Sequence, residues 1–468
     1  MRLSAPTKDS FAGVRAHVIG LGAYGTGRAV ARALWRRGAK VTVSDIKTAA
    51  EVRAEIEGLR DADVLIQTGK EAYRGIEEAE VVVVSPGVPL DIPPLVRARA
   101  RGARVISDIE LAFLIAPCPM IAVTGTKGKT TTTTLIGELL NDSGKSALVG
   151  GNIGRPLVEL AEEAAATDTL VAEVSSFQLE ATEQFRPQVA VLLNVLPDHL
   201  DRHVTMAAYQ EAKARIFANQ QAEDFAIINR DEPAAWALRE RTRAQVIPFS
   251  VKQAEPAGAD IAGGWLKVQG ERIAPVEAVQ LRGRHNLGNA LAALAAAKLA
   301  GASLDRAEAT LRRFRGVEHR LEIVGTVGGV VFVNDSQATT PAATIAALEA
   351  FEERVTLVAG GRAKVHDFSA LGEALAERGA ALVVIGEAAE EIGEAARAAG
   401  VTSISTAASL PEAVRVAFGR AKPGEVVLLS PACASFDMFQ NMAERGHIFK
   451  AAVEQLAAEE REKQSCQR

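Results

Sequence analysis

At 468 residues, with 48% hydrophobic and 24% charged side chains, the chain is too long for one ordinary core and has the composition of a soluble globular protein. Its formal net charge of −5 argues against a general affinity for nucleic acid or anionic membrane, while leaving room for a local cationic pocket. The three cysteines, Cys118, Cys433 and Cys466, lack metal or disulfide spacing and point to a reducing compartment.

Residues 1–10 lack the apolar core of a signal peptide, and no uncharged apolar run reaches the length of a membrane span; a cytoplasmic protein is expected. Up to about residue 108, short β-type runs alternate with helical patterns. Strands are predicted at 16–20, 40–44, 64–67, 81–85 and 104–107, and a helix over 27–37 is stopped by Gly38. Such alternation implies a parallel sheet covered on both faces. Gly20-Leu21-Gly22-Ala23-Tyr24-Gly25 fits G-x-G-x-x-G between a strand and a helix, and Asp45 ends the next strand. Taken alone this is the dinucleotide fingerprint, and it points to the diphosphate of a nucleotide better than to NAD. Ser85-Pro86-Gly87-Val88 closes a later strand at the same sheet edge.

The second block, about 109–315, opens on Thr-Gly-Thr-Lys-Gly-Lys-Thr at 124–130, after the apolar run 120–123 and before an apolar helical pattern. Strand, glycine-rich turn and helix start form a phosphate cradle. Gly125 and Gly128 let backbone N–H groups turn inward, and the helix end adds partial positive charge. Lys129 reaches the outer phosphates and the Thr130 hydroxyl ligates Mg²⁺. Further strands are predicted at 170–174, 189–193 and 225–228. Glu173 and His199 stand at strand ends, on the rim where open α/β sheets bind ligands. Lys213 lies on an amphipathic helix, where spacing alone favours an ordinary exposed lysine. Asn286 and Asn289 are i,i+3 neighbours, suited either to an adenine edge or, for Asn286, to a helix N-cap.

The third block, about 316–468, begins with His319-Arg320, has a strand at 330–333 running into Asn334-Asp335-Ser336, and continues with strands at 355–359, 381–385 and 425–430. A charged tail over 451–468 ends as a helix or frays.

Taken together, the Gly-Thr-x-Gly-Lys-Thr loop, Glu173-x-Ser-Ser-Phe-Gln-Leu, Asn194 with Asp198-His199-Leu-Asp201, Lys213, His285-Asn286-x-x-Asn289, His319-Arg320 and Asn334-Asp335-Ser336 resemble the Mur ligase family over nearly the whole chain. The resemblance implies an α/β three-domain architecture, with boundaries at 1–108, 109–315 and 316–468. A Rossmann-like N-terminal domain would hold a UDP-sugar, a P-loop-type central domain ATP, and a Rossmann-like C-terminal domain the incoming amino acid. Within the family, Gly20-Leu-Gly with Ser85-Pro-Gly-Val, and the run 429–439 followed by Arg445-Gly446, resemble the branch that adds D-glutamate to UDP-N-acetylmuramoyl-L-alanine through an acyl phosphate. The implied partners are those substrates and ATP, with no nucleic acid or membrane, and the expected state is a monomer whose outer domains swing closed.

By resemblance, ATP is held by Gly125, Thr126, Lys127, Gly128, Lys129, Thr130, Thr131, Asn286, Asn289, His319, Arg320 and Asp335. The UDP-sugar is held by Gly22, Ala23, Tyr24, Asp45, Ile46, Ser85, Pro86, Gly87 and Asn152, and D-glutamate by Thr339, Lys364 and Ser435. Catalysis is assigned to Lys129, Glu173, His199 and Lys213. Two Mg²⁺ sites are implied, with Thr130 and Glu173 at one and His199 at the other, joined by Lys213 once carbamylated. The chain departs from the family at Lys127, where asparagine is frequent, at Gln337, where lysine is common, and at Tyr24, where a smaller residue is usual.

Overall fold

The computed structural model describes residues 11–21, 25–281, 283–363 and 366–466, in two compact units that divide between Phe314 and Arg315. Of the candidate residues, Gly22, Ala23, Tyr24 and Lys364 lie outside the described residues.

The first unit carries two sheets. The earlier one has five parallel strands, β1 (Arg15–Ile19), β2 (Lys40–Asp45), β3 (Val64–Thr68), β4 (Val81–Val84) and β5 (Arg104–Ser107), in the order β3-β2-β1-β4-β5. All four valines of β4 are buried, as a strand covered on both faces requires. The helix Thr26–Arg36 follows β1 and ends before Gly38, whose φ of 79° stops it. Strand order reverses between β1 and β4, so their carboxyl ends bound a crevice.

The second sheet has nine strands: β6 (Met120–Thr124), β7 (Ala147–Gly151), β8 (Thr169–Glu173), β9 (Val189–Leu192), β10 (Phe225–Asn229), β11 (Gln245–Phe249), β12 (Ala259–Ala262), β13 (Trp265–Val268) and β14 (Glu271–Pro275). Their order is β14-β13-β12-β11-β10-β9-β6-β8-β7. The strands from β6 to β12 pair in parallel, and β12-β13-β14 form an antiparallel meander. Five of these strands escaped the sequence reading. The meander is short and half-exposed, but its turns were legible: Gly263-Gly264 and Gln269-Gly270 are two-residue loops with positive φ at both positions, the hairpin geometry that Gly-Gly announces.

One apolar core runs from the first sheet into one face of the second, through Val43, Val83, Leu111, Leu157, Leu170 and Ala190. The two sheets therefore make one compact body rather than two. The other face of the nine-stranded sheet packs the helices Lys129–Asp142 and Arg284–Leu299. From Ala290 to Ala297 the latter is at most 1% exposed; small side chains all round let it enter closely on every side.

The second unit has six strands, β15 (Glu322–Val327), β16 (Val330–Asn334), β17 (Val355–Gly360), β18 (Ala381–Ile385), β19 (Ile404–Thr406) and β20 (Val426–Leu429), in the order β15-β16-β20-β17-β18-β19. Only the β15–β16 pair is antiparallel, again around a Gly-Gly turn, Gly328-Gly329. The expected tail helix is longer than its pattern indicated and runs over Met442–Cys466. Among the described residues no helix is long and apolar enough to cross a membrane.

The helix Asp108–Ile115, which leads from the first sheet to the second, is fastened by Glu110. Its carboxylate is 0% exposed and accepts the backbone N–H groups of Glu183 (3.0 Å), Gln184 (2.8 Å) and Phe185 (2.9 Å). Glu110→Ala would leave three donors unpaired and is expected to cost roughly 3 kcal/mol or more, with Glu110→Gln, whose amide offers one acceptor, in between. Urea unfolding midpoints measure this; a midpoint unchanged in Glu110→Ala would contradict it.

Candidate active site

The phosphate loop follows β6 and ends at the helix Lys129–Asp142. Gly128 precedes that helix with φ 86°, and a Cβ there would stand 2.4 Å from Asn289 Oδ1; the backbone angle and the close approach both require glycine. Asn194, just past the end of β9, clamps the loop. Its Oδ1 accepts the N–H groups of Thr126 (2.9 Å) and Lys127 (2.8 Å), and its Nδ2 donates to the Lys127 carbonyl (2.9 Å). The first-turn N–H groups of the helix face outward with the positive end of the helix dipole.

Two lysines converge on one carbonyl. Lys129 Nζ donates to the carbonyls of Gly125 and Thr126, both at 2.9 Å, and Lys213 Nζ donates to the same Gly125 carbonyl at 2.9 Å. Lys213 is 1% exposed, which corrects the expectation of a surface lysine. Its helix, Met206–Ala214, buries Tyr209, Ala212 and Ala214 alongside it, so the face that carries Lys213 points inward. Burial, and then the charge of Lys129, push the Lys213 amine down to about 7, against the opposing pull of Asp198 and Glu173. The Tyr209 ring lies 4.6 Å from Lys213 Nζ, and its hydroxyl is 3.1 Å from Thr126 Oγ1.

Glu173 ends β8 and is 2% exposed. Its Oε2 accepts the Thr130 hydroxyl at 2.7 Å, and its Oε1 accepts Asn152 Nδ2 at 3.0 Å. Asn152, expected beside the sugar nucleotide, thus joins the Glu173 cluster through its amide. His199 is half-exposed in a left-handed turn with φ 53°. Its ring stands 4.9 Å from Phe177 and 6.4 Å from Tyr209 between centroids. Asn286 is not an N-cap, because the helix begins at Arg284 after Gly283. Its Oδ1 accepts Asn289 Nδ2 at 2.9 Å, which keeps the two amides together on the turn beside Gly128.

At the switch point of the first sheet, the Ser85 hydroxyl donates to the Gly20 carbonyl at 2.6 Å. Asp45 Oδ2 accepts the Leu21 N–H and Oδ1 the Lys47 N–H, both at 2.9 Å. Asp45 therefore fixes the glycine-rich turn. Ile46, which follows Asp45, is 68% exposed; after β4, Pro86 is half-buried and Gly87 exposed.

The second unit gathers its own cluster at the carboxyl ends of β16, β20 and β17. Asp335 Oδ2 accepts the Ser430 hydroxyl at 2.8 Å and Oδ1 the Leu321 N–H at 3.2 Å; burial raises its carboxyl to about 6. His319, with φ 64°, is 2.9 Å from Asn334 Nδ2 through Nδ1, and a Cβ at Gly446 would strike that nitrogen at 2.2 Å. Arg445 is 0% exposed. It donates to Ser336 Oγ (3.0 Å), the Cys433 carbonyl (3.1 Å) and the Ser336 carbonyl (2.9 Å). Ser435 is buried, Thr339 half-buried and Arg320 exposed. Among the described residues, Glu318, His319 and His447 bring possible ligand atoms within 4.8 Å of one another. Lys450 Nζ, bonded to Glu318 at 2.9 Å and Glu322 at 2.7 Å, already supplies the cation there.

Asn194, Tyr209 and Arg445 are the contributors to which sequence reasoning gave no role. For Asn194 a signal existed, an amide directly after a buried strand on the ligand-binding rim. For Arg445 the signal was the Arg445-Gly446 pair that helps carry the resemblance; for Tyr209 none existed, since burial of a polar group at a helix position leaves no trace in spacing.

Three family models match: the MurD-like N-terminal domain of Mur ligases at residues 14–107, the Mur ligase middle domain at 123–297 and the Mur ligase glutamate ligase domain at 319–433. The UDP-N-acetylmuramoylalanine–D-glutamate ligase of Pelotomaculum thermopropionicum is 47% identical over 94% of this chain and 97% of its own length. The enzyme of that name from Caldanaerobacter subterraneus subsp. tengcongensis is 42% identical over 94% and 98%. In fold, the chain is similar to the crystal structure of the UDP-N-acetylmuramate-alanine ligase MurC of Thermotoga maritima, with a TM-score of 0.56, 21% identity and coverage of 94% and 99%. From the loop that cradles phosphate to the cluster around Asp335, this chain belongs to the Mur ligase family.

Proposed function

We propose that the chain is an ATP-dependent amide ligase that joins D-glutamate to UDP-N-acetylmuramoyl-L-alanine in cytoplasmic peptidoglycan precursor synthesis, working as a monomer. The observation that carries this reading is the convergence on one P-loop of a buried Thr130–Glu173 pair and a desolvated Lys213, in a chain 47% identical to an enzyme named for that reaction. Its functional division is residues 1–108 for the sugar nucleotide, 109–315 for ATP and 316–468 for the amino acid. Ser85, Pro86, Gly87, Asp45 and Ile46, with Gly22, Ala23 and Tyr24, take the UDP part. Thr339, Lys364 and Ser435 take the carboxylates of D-glutamate, where a cation and hydroxyls suit a dianion.

A carboxylate resists an amine, because its charge repels the nucleophile and oxide is a hopeless leaving group. Transfer of the γ-phosphoryl of ATP to the alanyl carboxylate gives an acyl phosphate and ADP. The amine of D-glutamate adds to that carbonyl, and the tetrahedral adduct expels phosphate as nitrogen loses a proton. The loop N–H groups hold the phosphates, and Lys129 Nζ leaves the carbonyls of Gly125 and Thr126 to meet the transferring oxygens.

The Thr130 hydroxyl and Glu173 carboxylate are oxygen donors of the kind a hard cation takes. Mg²⁺ held there, with a second ion at His199 and Lys213, supplies charge that offsets what develops on the phosphoryl oxygens. Lys213 serves as carboxylate once its amine adds to CO₂: a C–N bond forms, a C–O π pair moves to oxygen and one proton leaves. Only a neutral amine can do this, and an amine lowered to about 7 is substantially neutral at physiological pH. The carbamate also replaces repulsion of Lys129 by attraction.

Phosphate release from ATP with UDP-N-acetylmuramoyl-L-alanine is expected with D-glutamate and not with L-glutamate, meso-diaminopimelate or no amino acid. Release with none of them, from folded protein that binds ATP, would sink the reading. Lys129→Ala and Glu173→Gln are each expected to lower kcat by about 100-fold or more, and chelation of divalent cations to abolish turnover reversibly. Lys213 also gives a pH signature. Its folded value near 7 lies below its ordinary 10.5, so between those limits the unfolded chain binds the extra proton and stability rises with pH. In bicarbonate-free buffer, Lys213→Met is expected to remove up to about 1.4 kcal/mol per pH unit from that slope. Equal slopes in guanidinium unfolding would contradict the assignment.

A further inference from the structure

Four polar side chains behind the phosphate loop form a relay that the chemistry above does not use. It starts at Ser176, the first residue of the helix Ser176–Glu180; its Oγ lies 3.0 Å from His203 Nε2. The other nitrogen of that ring is 3.2 Å from Glu180 Oε1, and Arg202 Nη2 donates to Glu180 Oε2 at 3.4 Å. The same Nη2 donates at 3.0 Å to the carbonyl of Val88, which closes the Ser85–Val88 loop after β4. Arg202 and Glu180 are 21% and 23% exposed, so the bridge is largely sheltered. The guanidinium also stands 5.1 Å from the centre of the Phe177 ring, and that ring packs on His199 at 4.9 Å and on His203 at 5.2 Å.

We propose that Arg202 is a positioning residue, setting the Ser85–Val88 loop, and with it the sugar nucleotide, in register with Glu173 and His199. The proposal rests on the reading above that this loop holds the sugar nucleotide. Local backbone geometry supports it. Arg202 sits in the four-residue helix Leu200–His203, bracketed by two non-glycine residues of positive φ, His199 at 53° and Val204 at 65°. A β-branched residue in that region is strained and persists where surrounding contacts hold it; the Arg202 bridge is such a contact. Arg202 Nη2 serves the Glu180 carboxylate and the Val88 carbonyl together while the flat guanidinium lies near the Phe177 ring; the compact ammonium of lysine is not equivalent at a site that includes a ring face.

The test is steady-state phosphate release by the full chain carrying Arg202→Met or Arg202→Lys, with sugar nucleotide and ATP varied separately. Arg202→Met is expected to raise KM for the sugar nucleotide and to lower kcat, each by about tenfold, as loss of a charge-assisted bond implies. KM for ATP should stay within about twofold, and Arg202→Lys should recover part of the sugar-nucleotide KM but little of kcat. Kinetic values for Arg202→Met within twofold of the parent would overturn the proposal. So would an equal rise in both KM values together with a lowered melting temperature, the mark of a merely structural loss. Should Arg202→Met fail to fold, Arg202→Lys decides: parental kcat and KM in that variant would overturn the proposal. A parent chain without turnover would instead sink the ligase reading.

Discussion

The carbonyl of Gly125 receives the amines of Lys129 and Lys213 at the same distance, 2.9 Å, and the site is built around that convergence. Two ammonium groups cannot share a buried acceptor cheaply. In the proposed reaction one must stay charged to meet phosphate, and Lys129 is the one whose place at the end of the loop suits that role. The other is left desolvated, against the Tyr209 ring, with its proton weakly held. A lysine poised in this way can change the sign of its charge by taking up CO₂, which a surface lysine at its ordinary value would do far less readily.

Holding that arrangement requires rigidity from three directions. Asn194 fixes the loop from β9, Asn289 lies against Gly128 from the alanine-rich helix, and Glu173 ties the first turn of the Lys129–Asp142 helix to β8. Each clamp stands on a buried element, so the loop inherits the precision of the sheet beneath it. The continuous core between the first two sheets extends that rigidity to the switch point where Ser85 meets Gly20. The Arg202 bridge then joins these two rims within one compact unit.

The fold and part of the site were legible because they rest on local patterns. Parallel strands with both faces covered, such as Val81–Val84, announce themselves as apolar runs, and the phosphate loop announces itself through glycines at backbone angles that other residues adopt rarely. The meander β12–β14 was missed because short, half-exposed strands lack a strong alternation, although their Gly-Gly turn was visible. Spacing alone pointed Lys213 to the surface, whereas the resemblance placed it in the site, and the reason is deeper. Helical spacing shows which residues share a face but not which face turns inward, and here tertiary packing of Tyr209 and Ala212 decided it. Asn152 shows the same limit: spacing gave no sign that the pairing of β7 with β8 brings its amide to Glu173.

The most direct test is the titration of Lys213 itself, followed by the ¹³Cε chemical shift of labelled lysine in bicarbonate-free buffer, with Lys213→Arg to assign the signal. An inflection near pH 7, absent from the variant, is the result that burial beside Lys129 predicts, and added ¹³C-bicarbonate should then give a carbamate resonance. A Lys213 that titrates at the ordinary 10.5 would contradict the account at its base.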